Sequence, residues 1–521
     1  MSQARRIAFA ASVAWLSRAV AILSALLLIP VLFRHLGKEE LGVWLLLGQS
    51  WVAMGVLDLG IGPTLTRRIA LAKGKSGGDV TVPLSEATKG EIADLFASGA
   101  RLFIVIAVLT FGVSWTAGYF YLRQIPLVHV SWQSALIAWS VLCVAQAVSL
   151  QATVWSNLLI GLGYVGWDLL VNSSISLLTI GFQVGVALSG GGIIGLAIVQ
   201  AIGTALSRFL LVRLVKKYQP EVYGIRGRWC RHAVSSMAGP AIRCWLTTLG
   251  GVLVQQTDQF FIAQSKGAAE IPNYRAAYLI CVNLTMIATA VAGSSAPFIS
   301  QLWQAGCRDQ ARVLVVRGFR FGLCLLFCLL AGVLVGGREL FMLWLGPGHF
   351  AGYPLLILFS VIMVCEAHSF IASTASRATE DEVFAGCYMA AGMLKLLFSY
   401  VLLRRFGILG LAAGTLLAEG LTVYWYMTYR ALKRLQIPFR YHLRNVLLPS
   451  IGVFLLTLTV SFLTRNALGR FGDLSRLASV CFTCGMGFVF AFWFLVISSN
   501  QRRKLYTICL NWRRPLPTGG V

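Results

Sequence analysis

Apolar residues recur along the chain in runs of about 20, the length at which an α-helix crosses a ~30 Å hydrocarbon layer. Short polar or basic segments separate these runs. The pattern therefore predicts an all-α integral membrane protein with about fourteen transmembrane helices. The predicted spans are residues 8–33, 41–63, 102–122, 134–157, 169–189, 193–213, 240–262, 276–300, 319–336, 354–376, 383–403, 408–429, 446–464 and 477–498.

Composition agrees with this pattern and excludes several classes of soluble protein. Hydrophobic residues make up 57% of the 521 residues, and charged residues only 12%, whereas a soluble domain carries about 25%. The net charge of +25 does not indicate nucleic-acid binding, because the basic residues lie in short loops between the spans.

The distribution of Lys and Arg predicts the orientation in the membrane. With the N-terminus in the cytoplasm, cytoplasmic segments hold 29 of the 44 basic residues and outside segments hold 11. Since cytoplasmic loops are enriched in positive charge, both termini are expected there. The outside loops are short, so a large external catalytic domain is excluded.

An internal repeat predicts two similar halves. Residues 192–197 read GIIGLA and residues 407–412 read GILGLA, and each piece opens a predicted span. Two copies of a six-helix unit would be related by a pseudo-two-fold axis along the membrane normal. A chance match in an apolar background is the alternative. The predicted ranges are 1–217 for an N-lobe, 218–434 for a C-lobe, 435–500 for two further helices and 501–521 for a cytoplasmic tail.

Several short motifs resemble one transporter family. The first hairpin contains PVLFRHLG at 30–37, LGVW at 41–44 and LDLGIG at 57–62, and the seventh span ends in QTDQFFIA at 256–263. These segments resemble Wzx-type polysaccharide or O-antigen flippases of the multidrug/oligosaccharidyl-lipid/polysaccharide exporter superfamily. The likeness extends to the layout of six, six and two spans.

The resemblance implies a function. A flippase of this kind works by alternating access and moves undecaprenyl-pyrophosphate-linked oligosaccharide from the cytoplasmic to the outer leaflet of the bacterial inner membrane, for O-antigen or exopolysaccharide assembly. The partners it implies are the lipid-linked oligosaccharide, membrane lipids, and a polysaccharide polymerase and glycosyltransferases. Neither a metal nor an organic cofactor is expected, although H⁺ or Na⁺ coupling is. A lipid II-type flippase and an ion-coupled drug antiporter use the same scaffold, so both remain alternatives.

Basic residues within the spans are the candidates for substrate binding. Arg18 lies about ten residues, or roughly 15 Å, into the first span, and Lys395 lies near the middle of the eleventh. An arginine fork or a lysine ammonium facing a cavity would bind a pyrophosphate, and pairing with an internal carboxylate is the alternative. Arg208 and Arg243 lie nearer the cytoplasmic ends of their spans, where snorkelling competes with a place at the cavity mouth.

Acidic residues within the spans are the candidates for coupling and gating. Glu366 and Glu419 lie mid-membrane, where a carboxylate that binds a proton or Na⁺ would couple transport to an ion gradient. A salt bridge, for example to Lys395, is the alternative. Asp58 and Asp258 lie near span ends, where pairing with loop arginines would make them gate latches.

The chain is not expected to be an enzyme. A membrane glycosyltransferase or glycan ligase would need a constellation of acidic, His or Arg residues in an external loop, and the external loops here are short. No residues are therefore assigned a catalytic role. The sequence also lacks a Gly-x-x-x-x-Gly-Lys phosphate loop, so direct coupling to ATP is not expected.

Overall fold

The structure, a computed structural model, describes residues 3–75, 84–218, 220, 223, 227–304, 306–379, 381, 383–467 and 472–496. The predicted tail at 501–521 lies outside these residues. The α-helices in chain order are α1 (Gln3–His35), α2 (Lys38–Gly55), α3 (Ile61–Gly74), α4 (Glu86–Gln124), α5 (Trp132–Gly161), α6 (Val165–Leu188), α7 (Gly192–Tyr218), α8 (Arg231–Gln255), α9 (Asp258–Lys266), α10 (Ile271–Gln304), α11 (Arg308–Trp344), α12 (Tyr353–Ala378), α13 (Ala385–Phe406), α14 (Ile408–Leu421), α15 (Val423–Arg434), α16 (Phe439–His442), α17 (Leu448–Ala467) and α18 (Asp473–Ala491).

Short segments of other helical types join some of these helices. Two 3₁₀ turns cover Val56–Asp58 and Ala268–Glu270. Two π-helical turns cover Leu443–Leu447, just before α17, and Phe492–Val496, just after α18. The described residues contain no β-strand, as expected where no water is available to pair an open sheet edge.

The all-α membrane fold predicted from the hydrophobic pattern is confirmed. Among the described residues, thirteen helical segments are long and apolar enough to cross a membrane. The remaining predicted span, 8–33, falls on α1, which is 33 residues long. Each predicted span thus has a helical counterpart in the same order.

Contacts divide the chain into two compact units. Unit 1 comprises Met1–Tyr274 and Ala385–Leu411, and unit 2 comprises Arg275–Phe384 and Ala412–Val521. This grouping differs from the predicted lobe ranges, because α13 packs along α8 and both helices join unit 1. The lobe boundaries therefore stay a prediction.

Each unit has its own apolar core. In unit 1, α4, α5 and α7 pack around side chains that include Leu65, Phe103 and Leu211, none of them exposed. In unit 2, α11 packs against α12, α17 and α18. Large apolar side chains also remain on the outside, for example Phe182 and Phe482, which are 68% and 70% exposed. Such residues suit contact with lipid tails, which accept apolar side chains as readily as a protein core does.

The repeated GIIGLA and GILGLA segments adopt the same local conformation. Gly192 and Gly407 have φ angles of +60° and +59°, the left-handed region that glycine adopts without a Cβ clash. Three residues later, Gly195 and Gly410 each lie against the preceding helix. A Cβ would come within 2.7 Å of Val186 at Gly195 and 2.2 Å of the Leu402 carbonyl at Gly410. The glycine spacing therefore builds the same turn twice.

Candidate functional site

Lys395 and Asp258, predicted separately, form an ion pair inside unit 1. The Lys395 Nζ lies 2.6 Å from Asp258 Oδ1 and donates a hydrogen bond of 2.7 Å to the Leu411 carbonyl. The Tyr274 hydroxyl donates to the other carboxylate oxygen at 2.6 Å. Lys395 is fully buried, and the Asp258 side chain is 14% exposed. The positive charge of Lys395 is therefore compensated by the Asp258 carboxylate in this conformation.

The pair lies where the seventh span is interrupted. Helix α8 ends at Gln255 and α9 begins at Asp258, so Asp258 occupies the first turn of a new helix, where a negative charge is favourable. Gln49 bridges the interruption, because its amide donates to Gln256 and accepts a 3.0 Å hydrogen bond from Gln259. These amide contacts satisfy polar groups that lipid could not solvate.

Arg208 belongs to a second polar cluster in unit 1. It donates to the Ser149 hydroxyl at 2.9 Å and lies close enough to Asp168 for a direct electrostatic interaction. Asp168 is 5% exposed, and it accepts hydrogen bonds from Ser156 at 2.6 Å and from Asn172 at 3.2 Å. Asp168 was not among the predicted site residues, because it lies one position before the predicted span 169–189, where the sequence gives no sign of burial.

The other basic candidates differ in what surrounds them. Arg243 is exposed on α8, and its guanidinium has no hydrogen-bond or ion-pair partner within the described residues. Arg18 lies on α1, and its side chain is outside the described part of the structure. Arg243 is therefore the described candidate cation that is not already engaged by another group of the protein.

Asp58 stabilises a turn. Its Oδ1 accepts the Gly60 amide at 2.8 Å, and the carboxylate also accepts a backbone hydrogen bond from Gly62. Leu59 and Gly60 have φ angles of 54° and 70°, which turn the chain into α3. Within the described residues its hydrogen bonds go to the backbone, and not to the loop arginines that a gate latch would use.

Glu366 and Glu419 come together inside unit 2. Their carboxyl groups lie close enough to interact directly, and two such groups can form a hydrogen bond only when one of them carries a proton, because an ionised carboxylate only accepts. Glu419 is 1% exposed, and its Oε2 accepts a 2.6 Å hydrogen bond from the Tyr424 hydroxyl. The twelfth span is interrupted between Glu419 and Tyr424, since α14 ends at Leu421 and α15 begins at Val423.

Two histidines continue this polar cluster. His368 Nε2 lies 2.8 Å from His442 Nε2, and His368 Nδ1 lies 3.0 Å from the Thr428 hydroxyl. Because Thr428 donates to the Tyr424 carbonyl at 2.9 Å, His368 donates to Thr428 from Nδ1 and accepts from His442 at Nε2. The contact with His442 could not be read from the sequence, because it joins two different spans.

The family described as "Polysaccharide biosynthesis protein" matches residues 9–303 of the 521 residues. No curated protein sequence matches the chain.

Several solved structures share the fold. The chain is similar to the lipid II flippase MurJ in an inward closed conformation, with 13% identity, 94% of this chain and 100% of that chain covered, and a TM-score of 0.69. It is also similar to an inward-facing multidrug resistance MATE family transporter of the MOP superfamily, with 11% identity, 80% and 94% covered, and a TM-score of 0.63. A MOP superfamily transporter from Pyrococcus furiosus is 12% identical, with 84% and 96% covered and a TM-score of 0.55. At these identities the likeness shows the fold.

Proposed function

Because the chain belongs to the polysaccharide biosynthesis protein family, we propose that it is a flippase for a lipid-linked oligosaccharide. The cargo is undecaprenyl-pyrophosphate-linked oligosaccharide, and it moves from the cytoplasmic to the outer leaflet of the bacterial inner membrane. The observation that carries this proposal is the family match over residues 9–303, on a chain that shares its fold with MurJ.

The in-span cations favour an anionic cargo. A pyrophosphate presents oxygens that an arginine fork binds by two charge-assisted hydrogen bonds. Arg243 suits this role best among the described cations, because it is exposed on a spanning helix and its donors are free within the described residues. Arg18 keeps the same proposed role from its depth in the first span.

Lys395 and Arg208 have a different proposed role in this conformation. Lys395 is held by Asp258, and Arg208 interacts with Ser149 and Asp168. Either cation would bind substrate only if its carboxylate partner gave way during transport. We therefore assign first contact with the pyrophosphate to Arg243, and we assign the Lys395–Asp258 pair to the gating that follows.

The decisive measurement is flipping in proteoliposomes. A fluorescent lipid-linked oligosaccharide in one leaflet would become accessible to a membrane-impermeant quencher at a rate set by the protein. Loss of one charged hydrogen-bond pair lowers binding by about tenfold or more. Arg243→Ala should therefore slow flipping at subsaturating cargo by about that factor, and Arg243→Lys should retain part of the rate.

Arg101→Ala is the matched control, since Arg101 is another exposed arginine on a spanning helix of unit 1. It should flip at the wild-type rate. Equal rates for Arg243→Ala and wild type would remove Arg243 from the site. A wild-type protein that moves no lipid-linked oligosaccharide would overturn the proposed function itself.

A drug antiporter is the second candidate, and the likeness to a multidrug resistance MATE family transporter is the observation behind it. The same proteoliposomes distinguish the two functions. A flippase should translocate the lipid-linked oligosaccharide and leave a cationic dye in place. Gradient-driven dye export without lipid flipping would favour the antiporter.

The proposed orientation has its own test. With both termini in the cytoplasm, the segment 337–353 lies outside and the loop 216–231 lies inside. In a cysteine-free background, an impermeant maleimide added to cells should label His349→Cys and leave Gly227→Cys unlabelled. The reverse pattern would invert the proposed direction of transport.

We also propose that a H⁺ or Na⁺ gradient drives the transport cycle. A polysaccharide polymerase and glycosyltransferases are the proposed protein partners.

A further inference from the structure

A cavity in unit 2 is lined by residues that belong to none of the polar clusters described above. It has a volume of about 580 Å³, within the range of roughly 300–1,000 Å³ typical of ligand sites. Its wall comes from the first turns of α11, the segment that follows α15, and the π-helical turn after α18. The arginine pocket is lined by Asp309, Arg312, Val313, Val316, Arg317, Arg320, Gln436, Ile437, Pro438, Tyr441, Phe494, Leu495 and Val496.

The charges of the arginine pocket are unbalanced. Arg312 forms an ion pair of 2.7 Å with Asp309 and also donates to the Leu435 carbonyl. Arg317 and Arg320 face no further carboxylate among the lining residues. Arg317 is half-buried, and its guanidinium has no hydrogen-bond or ion-pair partner within the described residues. A half-buried arginine with unused donors favours an anion as its partner.

Arg320 connects two walls of the arginine pocket through hydrogen bonds to backbone carbonyls. Its Nε donates to the Asn445 carbonyl at 2.8 Å, and one Nη donates to the Leu495 carbonyl at 3.3 Å. Asn445 and Leu495 belong to the two π-helical turns. A π turn widens the backbone and is found frequently at functional sites. Arg320 therefore holds both irregular turns around the pocket and leaves Arg317 to face its interior.

The remaining wall is apolar, which identifies the kind of anion. Val313, Val316 and Ile437 line one part of the pocket, and Phe494 and Val496 line another. A free phosphate ion would gain nothing from these side chains. A phospholipid would place its phosphate at Arg317 and its acyl chains along the apolar wall. The four arginines 308, 312, 317 and 320 also belong to a segment that is predicted to be cytoplasmic, where anionic lipids attract basic groups.

We propose that the arginine pocket binds the headgroup of an anionic phospholipid, at a site separate from the cargo. The proposal rests on the pocket's geometry and charge, and it does not depend on what the protein transports. Lipid bound here would join the start of α11 to the last two spans.

Native mass spectrometry of the full-length protein tests this proposal. Protein released from detergent would be titrated with phosphatidylglycerol, with phosphatidylcholine of the same acyl chains, and with inorganic phosphate. Wild-type protein should retain one phosphatidylglycerol at concentrations about tenfold below those needed for phosphatidylcholine. Inorganic phosphate at millimolar concentration should not displace it. Arg317→Ala should abolish the preference, and Arg317→Lys should keep part of it.

Arg308→Ala is the matched control, because Arg308 lies on the same helix but stacks over Trp303, 5.3 Å from its ring centroid, and does not line the pocket. It should bind phosphatidylglycerol as the wild type does. An unchanged preference in Arg317→Ala would overturn the proposal. So would equal binding of the two phospholipids, or displacement by inorganic phosphate, which would indicate a site for a free anion. The Arg317 guanidinium makes no hydrogen bond to another described residue, so substitution of this side chain should leave the fold intact.

Discussion

Lys395 in unit 1 and Glu419 in unit 2 are equally buried, at 0% and 1% exposure, but their surroundings differ. Lys395 lies against the opposite charge of Asp258. Glu419 lies against a second carboxyl group, that of Glu366. The first arrangement is neutral without any exchange with solvent. The second favours a proton on one of its carboxyl groups, because two ionised carboxylates side by side would repel each other.

Ionisable groups that are buried to a similar degree can therefore serve different purposes. A closed ion pair holds one conformation until a partner moves, whereas an acid pair changes its charge when it gains or loses a proton. One member of each pair lies at an interruption in a spanning helix. Asp258 begins the second part of the seventh span, and Glu419 lies just before the break in the twelfth. We therefore expect conformational gating from unit 1 and proton sensitivity from unit 2.

The largest effect is expected where one charge of the unit 1 pair is removed. Lys395→Met leaves Asp258 buried without its counterion, which costs about 3–5 kcal/mol of folding stability. The double variant with Asp258→Asn removes both charges and keeps an acceptor for Tyr274, so it should recover most of that loss. Thermal unfolding in detergent measures both.

The same pair of variants separates gating from substrate binding. If Lys395 contacts only Asp258, the double variant should also recover flipping. A double variant that is stable but inactive would mean that the lysine binds the pyrophosphate directly, as its position in the middle of the eleventh span predicts.

The next effect concerns the acid pair of unit 2. Glu366→Gln or Glu419→Gln should fold and bind the lipid-linked oligosaccharide, because an amide can replace a protonated carboxyl group. Flipping should no longer respond to a proton gradient, whose electrical part is worth about 2.3 kcal/mol per charge per 100 mV. Proteoliposomes with and without an imposed pH gradient measure this. If both variants respond as the wild type does, the two carboxyl groups are structural and the comparison fails.

A smaller effect is expected at the histidine pair beside the acids. His442→Phe fills the same space next to Phe319 but removes the donor to His368, so it should cost about 1–2 kcal/mol. His442→Gln keeps a donor at a similar reach and should lose less. Thermal unfolding of both variants tests the hydrogen bond. If the pair also relays protons, the Phe variant should lower the response to a pH gradient, while equal responses would limit it to a structural role.

The smallest effect is expected at Asp58, which contacts backbone amides in place of a charged partner. Asp58→Ala should cost about 1 kcal/mol, the usual net loss when a side chain that accepts backbone hydrogen bonds is removed. Asp58→Asn keeps the acceptor oxygen and should lose only a few tenths of that. The unfolding temperatures of the two variants and the wild type measure these losses. Loss of flipping in a stable Asp58→Asn variant would indicate that the Asp58 carboxylate acts in gating.

The sequence determined the membrane architecture because hydropathy and charge are local properties. Each spanning helix satisfies its own backbone hydrogen bonds, so a run of about 20 apolar residues is enough to identify it. Glycine positions also carried local information, as the matching turns at Gly192 and Gly407 illustrate. Buried ionisable residues stood out for the same reason, since a charge in an apolar run is visible without knowledge of its neighbours.

Partners of those residues were decided by the tertiary structure. Nothing in the local sequence indicates that Lys395 pairs with Asp258 and not with the glutamates, because helices far apart in the chain supply the two groups. No proline lies at the helix interruptions at 256–257 and 422, so the local sequence does not reveal them. Asp168 was missed because only the packing of α5, α6 and α7 buries it. Side-chain pairing depends on which helix faces meet, and that is a property of the folded chain as a whole.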